Sequence, residues 1–121
     1  MATILTVDDS PSIRQMIKLA LEPAGHSVIE AGDGAQGLVK AQSSRPDMVI
    51  TDLNMPVMNG LDLIRALRKL PLLTGLPIVF LTTESSDAVK QEAKRAGATG
   101  WITKPFKPDQ LLAVVGKLVR S

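Results

Sequence analysis

Five short apolar runs, at 4–7, 27–29, 48–50, 78–81 and 101–102, recur along the chain with a stretch of helical spacing between or after each. The middle runs are continuously apolar and do not alternate, which is the pattern of strands buried on both faces. Strands and helices in alternation, with strands of that kind, require a parallel sheet covered by helices on either side, a doubly wound α/β domain. Right-handed crossovers then bring every strand's carboxyl end to one edge, where such sheets bind their ligands.

The helical stretches carry their own punctuation. Ser10 suits an N-cap and Pro11 the first helical position, and Ile13, Met16, Ile17, Ala20 and Leu21 then form one inward stripe that Gly25 ends. A second helix is expected from Asp33, with Gln36 completing a capping box, Leu38 and Ala41 inward, and Arg45-Pro46 as its stop. The third starts near Gly60, buries Leu61, Ile64 and Leu67, and ends before Pro71. The fourth covers about 87–96, with Val89 and Ala93 inward and Gly97 as its stop. The last follows Pro108 and turns Leu111, Leu112, Val115, Leu118 and Val119 to one side.

At 121 residues, 45% of them apolar and 21% charged, the chain holds one core and is expected to be one domain, 1–121. It has no cysteine, which excludes disulfides, thiolate nucleophiles and thiolate zinc sites, so any metal must be held by oxygen. The net charge is only +2 and the basic residues are scattered, which gives nucleic-acid binding no support. No apolar stretch is long enough to span a bilayer and no basic leader precedes the first strand, so a cytoplasmic, monomeric protein is expected.

The chemistry therefore has to sit at the strand ends. The first strand runs into Asp8-Asp9, the third into Asp52, the fourth into Thr82-Thr83 and the fifth into Thr103-Lys104-Pro105. Carboxylates brought within 4 Å repel by about 4 kcal/mol per pair at an effective dielectric near 20. Lys104 supplies one counter-charge, and a hard divalent cation such as Mg²⁺, which takes carboxylates and keeps waters, suits the remainder. Other sites fall away: the single His26 has no nucleophilic triad around it, and 2% aromatic residues give no sugar platform. Neither a Walker loop nor GxGxxG follows the first strand, and an acidic first turn repels a flavin phosphate.

With Val7-Asp8-Asp9-Ser10, Asp52-Leu53-Asn54-Met55-Pro56 with Gly60, Leu81-Thr82-Thr83-Glu84 and Lys104-Pro105-Phe106, the chain resembles a response-regulator receiver domain. The likeness runs over its whole length and is nearest to the single-domain chemotaxis regulators. The resemblance implies a flavodoxin-like sheet in the order 2-1-3-4-5 with five helices. It makes Asp52 the acceptor of a phosphoryl group from a phosphohistidine of a histidine kinase, with no output domain in this chain. One Mg²⁺ would be held by Asp8, Asp9, Asp52 and the main-chain carbonyl of Asn54. Lys104 would pair with a phosphoryl oxygen, Thr82 would donate its hydroxyl to another, and the Lys104–Pro105 peptide would be cis. Asn54 and Glu84 would tune phosphoryl lifetime, or are plain solvated loop residues; Pro56 and Gly60 read as loop geometry.

The family's switch position on the fifth strand, usually Tyr or Phe, is Trp101 here, so Thr82 and Trp101 form the expected switch unless the indole stays fixed. The face of the fourth helix, fifth strand and last helix would then meet a target protein, with Lys90, Lys94, Arg95 and Lys117 suiting an acidic partner. A flagellar motor switch component is the expected target, and a phosphatase a further partner. Two rivals stay open: a phosphorelay intermediate or phosphate sink, and a metal-dependent small-molecule phosphatase. The second is disfavoured by Asn54, since aspartate phosphatases want Asp two residues beyond the nucleophile. The protein is thus expected to be a switch and not an enzyme.

Overall fold

The strongest sequence signal, the apolar runs, becomes the centre of the molecule. The computed structural model describes residues 2–83 and 87–119. The strands are β1 (Thr3–Val7), β2 (Ser27–Ala31), β3 (Met48–Asp52), β4 (Ile78–Thr82) and β5 (Gly100–Thr103). They form one parallel sheet in the order β2-β1-β3-β4-β5, a flavodoxin-like arrangement. β3 and β4 are buried at every position, as their unbroken apolar character demands.

Helices α1 (Pro11–Leu21), α2 (Gly34–Ser44), α3 (Gly60–Arg68), α4 (Asp87–Ala96) and α5 (Pro108–Leu118) cover both faces. Leu5, Val7, Val49 and Phe80 pack with Leu63, Ile64, Leu67, Ala41 and Ala93 from α2, α3 and α4. Ile4, Ile50, Val79 and Leu81 pack on the other side with Ile17, Leu21, Leu111 and Val115 from α1 and α5. No helix among the described residues is long and apolar enough to cross a membrane.

Most of the punctuation is seen. The Ser10 side chain accepts from Ile13 N–H, Asp33 caps α2 by accepting from Gln36 N–H, and Gly97 closes α4 at φ +118°. Four expectations change. Met16 is 44% exposed because the α1 stripe is narrower than its spacing suggested, Ile17 and Leu21 alone being fully covered. Asp33 caps α2 without belonging to it, and the Gln36 side chain reaches Gly32 N–H, one residue short of a capping box. Gly25 ends a 3₁₀ turn, Glu22–Ala24, that extends α1, while α3 does start at Gly60, with Asn59 as its N-cap. Leu63 is fully buried on α3, whereas Leu61 is only partly so.

Two glycines on the helices let backbones meet. A Cβ on Gly60 would lie 2.2 Å from the carbonyl oxygen of Asp52, and one on Gly34 would lie 2.3 Å from that of Met58. Gly60 N–H donates to Leu53 O at 2.9 Å and Gly34 N–H to Met58 O at 3.2 Å. The β3–α3 connection is thereby tied at both ends, directly beyond Asp52.

Candidate functional site

The carboxyl edge of the sheet gathers side chains from remote segments. Asp8 and Asp9 follow β1, Asp52 ends β3, and one carboxylate oxygen from each lies within 4.8 Å of the others. Lys104, just past β5, places Nζ 3.2 Å from Asp52 Oδ1 and 3.5 Å from Asp8 Oδ2. Asp8 and Asp52 are buried, Asp9 is exposed, and the Lys104 side chain is 17% exposed. Three carboxylates against one ammonium leave a formal charge of −2, an all-oxygen donor set that fits one hard divalent cation.

Local hydrogen bonds aim these groups. Ser10 N–H donates to Asp8 Oδ1 and Leu53 N–H to Asp52 Oδ1, each at 2.9 Å. Burial pushes the Asp8 carboxyl above its ordinary range; the Ser10 bond and Lys104 pull it back, and the charge of Asp52 adds to the rise. Lys104 N–H donates to Thr82 O at 2.9 Å, which fixes the lysine's backbone to the end of β4. The Lys104–Pro105 peptide is cis.

Beside Asp52 opens a groove of about 540 Å³ lined by Leu53, Asn54, Asn59, Thr82, Thr83 and Glu92 among others. Thr82 and Asn54 thus share the cleft next to the acidic cluster. Glu84 lies outside the described residues. Trp101 lies apart from this cleft: it is 45% exposed on β5, with Phe80 at 6.3 Å between ring centroids and Lys90 Nζ 4.6 Å from its ring. Lys90 and Lys94 line a small hollow at Trp101, whereas Arg95 lines a different groove, between α3 and α4. The cations expected on one face are therefore divided by α4. His26, just before β2, accepts a hydrogen bond from Ala2 N–H.

Sequence reasoning missed Arg14. Its Nη1 donates to Asp8 O at 2.6 Å while Nε bonds Glu30 Oε1 at 3.2 Å, so a cation braces the backbone of the β1 turn. A basic residue one turn into α1, facing an acidic residue on β2, was the available signal.

The model of the family described as "Response regulator receiver domain" matches residues 4–116. The solved chemotaxis response regulator CheY4 of Vibrio cholerae is 48% identical, with a TM-score of 0.94 over 98% of this chain and 99% of that one. The receiver domain of sensor histidine kinase PA1611 from Pseudomonas aeruginosa, solved with a magnesium ion in its active site cleft, is 28% identical. Its TM-score is 0.91 over 99% and 98% of the two chains. Protein PilH of P. aeruginosa is 35% identical over 98% of both chains. The DNA-binding response regulator MtrA of Mycolicibacterium smegmatis is 39% identical over 97% of this chain, which spans only 50% of that relative's length. The sheet order, the acidic edge and these matches agree, and the chain belongs to the response regulator receiver domain family.

Proposed function

We propose that Asp52 accepts a phosphoryl group from a phosphohistidine of a histidine kinase, in a Mg²⁺-dependent step, and that the modified protein shifts its partner-binding face. The observation that carries this reading is Asp52 itself: a carboxylate one residue before Leu53, which lines the groove, in contact with Lys104 and within reach of two further carboxylates. An Asp52 oxygen forms the new O–P bond as the N–P bond breaks, and the bonding pair leaves with the imidazole, giving an acyl phosphate. Leu53 N–H and Lys104 engage Oδ1, which leaves Oδ2 for the attack.

Asp8, Asp9, Asp52 and the Asn54 carbonyl would hold Mg²⁺. When bound, that ion neutralises charge on the transferring group. The Lys104 ammonium pairs with one phosphoryl oxygen and the Thr82 hydroxyl donates to a second. Asn54 borders the groove and governs water access there, a role Glu84 shares. Movement of Thr82 and of the Trp101 ring biases the α4–β5–α5 face, whose lysines Lys90, Lys94 and Lys117 suit an acidic target in the flagellar motor switch. The likeness to a chemotaxis regulator supports that target. The protein acts in the cytoplasm as a monomer, and a phosphatase shortens its active state.

The test is intact-mass measurement with acetyl phosphate and Mg²⁺. One phosphoryl mass is expected in the wild type and none in Asp52→Asn; addition that persists in the variant refutes the acceptor. Equal affinity for a motor-switch component with and without modification refutes the output reading and favours the relay or sink.

A further inference from the structure

A groove of about 480 Å³ runs between α3 and α4, away from the acidic edge, lined by Arg65, Arg68, Lys69, Glu92, Arg95 and Ala96. Four cations there meet one carboxylate. Arg65 is already engaged, 3.3 Å from Asp62 and 3.8 Å from Glu92. Among the described residues, no acidic group lies within ion-pair distance of Arg68, Lys69 or Arg95.

Arg68 is the informative member. Its Nε donates to Gly97 O at 2.9 Å, and its stem lies across Gly97, where a Cβ would come within 2.6 Å of Arg68 Cγ. The guanidinium is therefore held in place, partly buried, with a single neutral acceptor. Burial works against its charge and pushes its pKa down from the ordinary arginine range. A cation fixed and partly desolvated in this way loses little freedom on binding and gains from an anion that enters beside it.

We infer that the α3–α4 groove binds an acidic segment of a protein partner, whose carboxylates are taken by Arg68, Lys69 and Arg95. Charge complementarity calls for an anion, and the planar forks of Arg68 and Arg95, held only by the neutral Gly97 O and Gln91 Oε1 among the described residues, suit carboxylates bidentately. Glu92 within the groove opposes a polyphosphate or nucleic-acid backbone, which is charged at every unit, while a peptide can space its carboxylates around that glutamate. Ala96 and the arginine stems offer an apolar floor to the peptide's other side chains. The inference does not depend on phosphoryl chemistry, and the site lies across α4 from Lys90 and Trp101.

The experiment is an amide-shift titration of the intact ¹⁵N-labelled protein with a peptide of alternating glutamate and alanine, six residues long, with inorganic tripolyphosphate as the comparison anion. Shifts are expected to centre on residues 65–69 and 92–97 and to weaken with added salt. Lys69→Glu and Arg95→Glu, both exposed and checked for folding by circular dichroism, should each weaken binding roughly tenfold, whereas Lys40→Glu, exposed on α2, should leave it unchanged. Absence of binding, shifts centred elsewhere, equal sensitivity to Lys40→Glu, or tighter binding of tripolyphosphate than of the peptide would each overturn the proposal.

Discussion

Replacing Asp8 by Asn should stabilise the metal-free protein and remove its response to Mg²⁺. The 3.5 Å contact of Asp8 with Lys104 is worth roughly 5 kcal/mol of attraction at an effective dielectric near 20. On the same scale, oxygens within 4.8 Å make the repulsion from Asp52 at least about 3.5 kcal/mol. Asp9 adds a smaller repulsion because water screens it. The charge terms nearly cancel, so lost hydration decides the sign for a side chain only 1% exposed. Asn keeps the shape and an oxygen for Ser10 N–H while shedding the charge.

The expected gain is about 1–3 kcal/mol, the range for incompletely compensated polar burial. With an unfolding entropy of about 0.25 kcal/mol/K for this length, Tm should rise by roughly 4–12 °C in EDTA. The pH dependence gives the sharper check. Because the folded state raises the Asp8 pKa, its protonated form contributes stability that is full below the ordinary value of 3.8. That contribution is lost as pH rises through the folded-state value. Wild type and variant should therefore converge in acid and separate as pH increases. With Mg²⁺ at a hundred times its Kd, the wild type alone should gain about 2.7 kcal/mol. A variant melting below wild type in EDTA at neutral pH, or a gap that persists unchanged in acid, would refute the reasoning.

Gly60→Ala should lower Tm by roughly 4–12 °C, since the clash with Asp52 O outweighs any gain in helix propensity; a Tm at or above wild type would contradict the close approach. Thr6 Oγ1 is buried and has no hydrogen-bond partner among the described residues, so Thr6→Val should stabilise by about 1 kcal/mol in denaturant melts, and a loss of that size would indicate a hidden partner. Lys104→Met leaves the carboxylates without their amine and should cost about 3 kcal/mol in EDTA, less in saturating Mg²⁺; equal losses in both conditions would dissociate the lysine from the acidic cluster.

The fold was legible because β3 and β4 carry unbroken apolar runs and because Pro11, Gly97 and Pro108 punctuate the helices where their backbone preferences require. The sheet order came from family likeness; periodicity alone does not rank parallel strands. Asp8, Asp9, Asp52 and Lys104 were readable as strand-end residues that topology must bring to one edge. Arg14 was not, because its role depends on which way a long side chain turns off α1. Helix faces were read less well: spacing put Met16 inward, but α1 is covered by sheet and α5 over a narrower arc. The close approaches at Gly34 and Gly60 are tertiary distances that no local pattern encodes.

The Lys104 amide is bonded to the Thr82 carbonyl, so the ammonium and the hydroxyl proposed to grip opposite corners of a phosphoryl group hang from a single backbone rung. A shift of the main chain at either residue is therefore felt at the other. The two side chains keep their own rotations, but the points they swing from travel together.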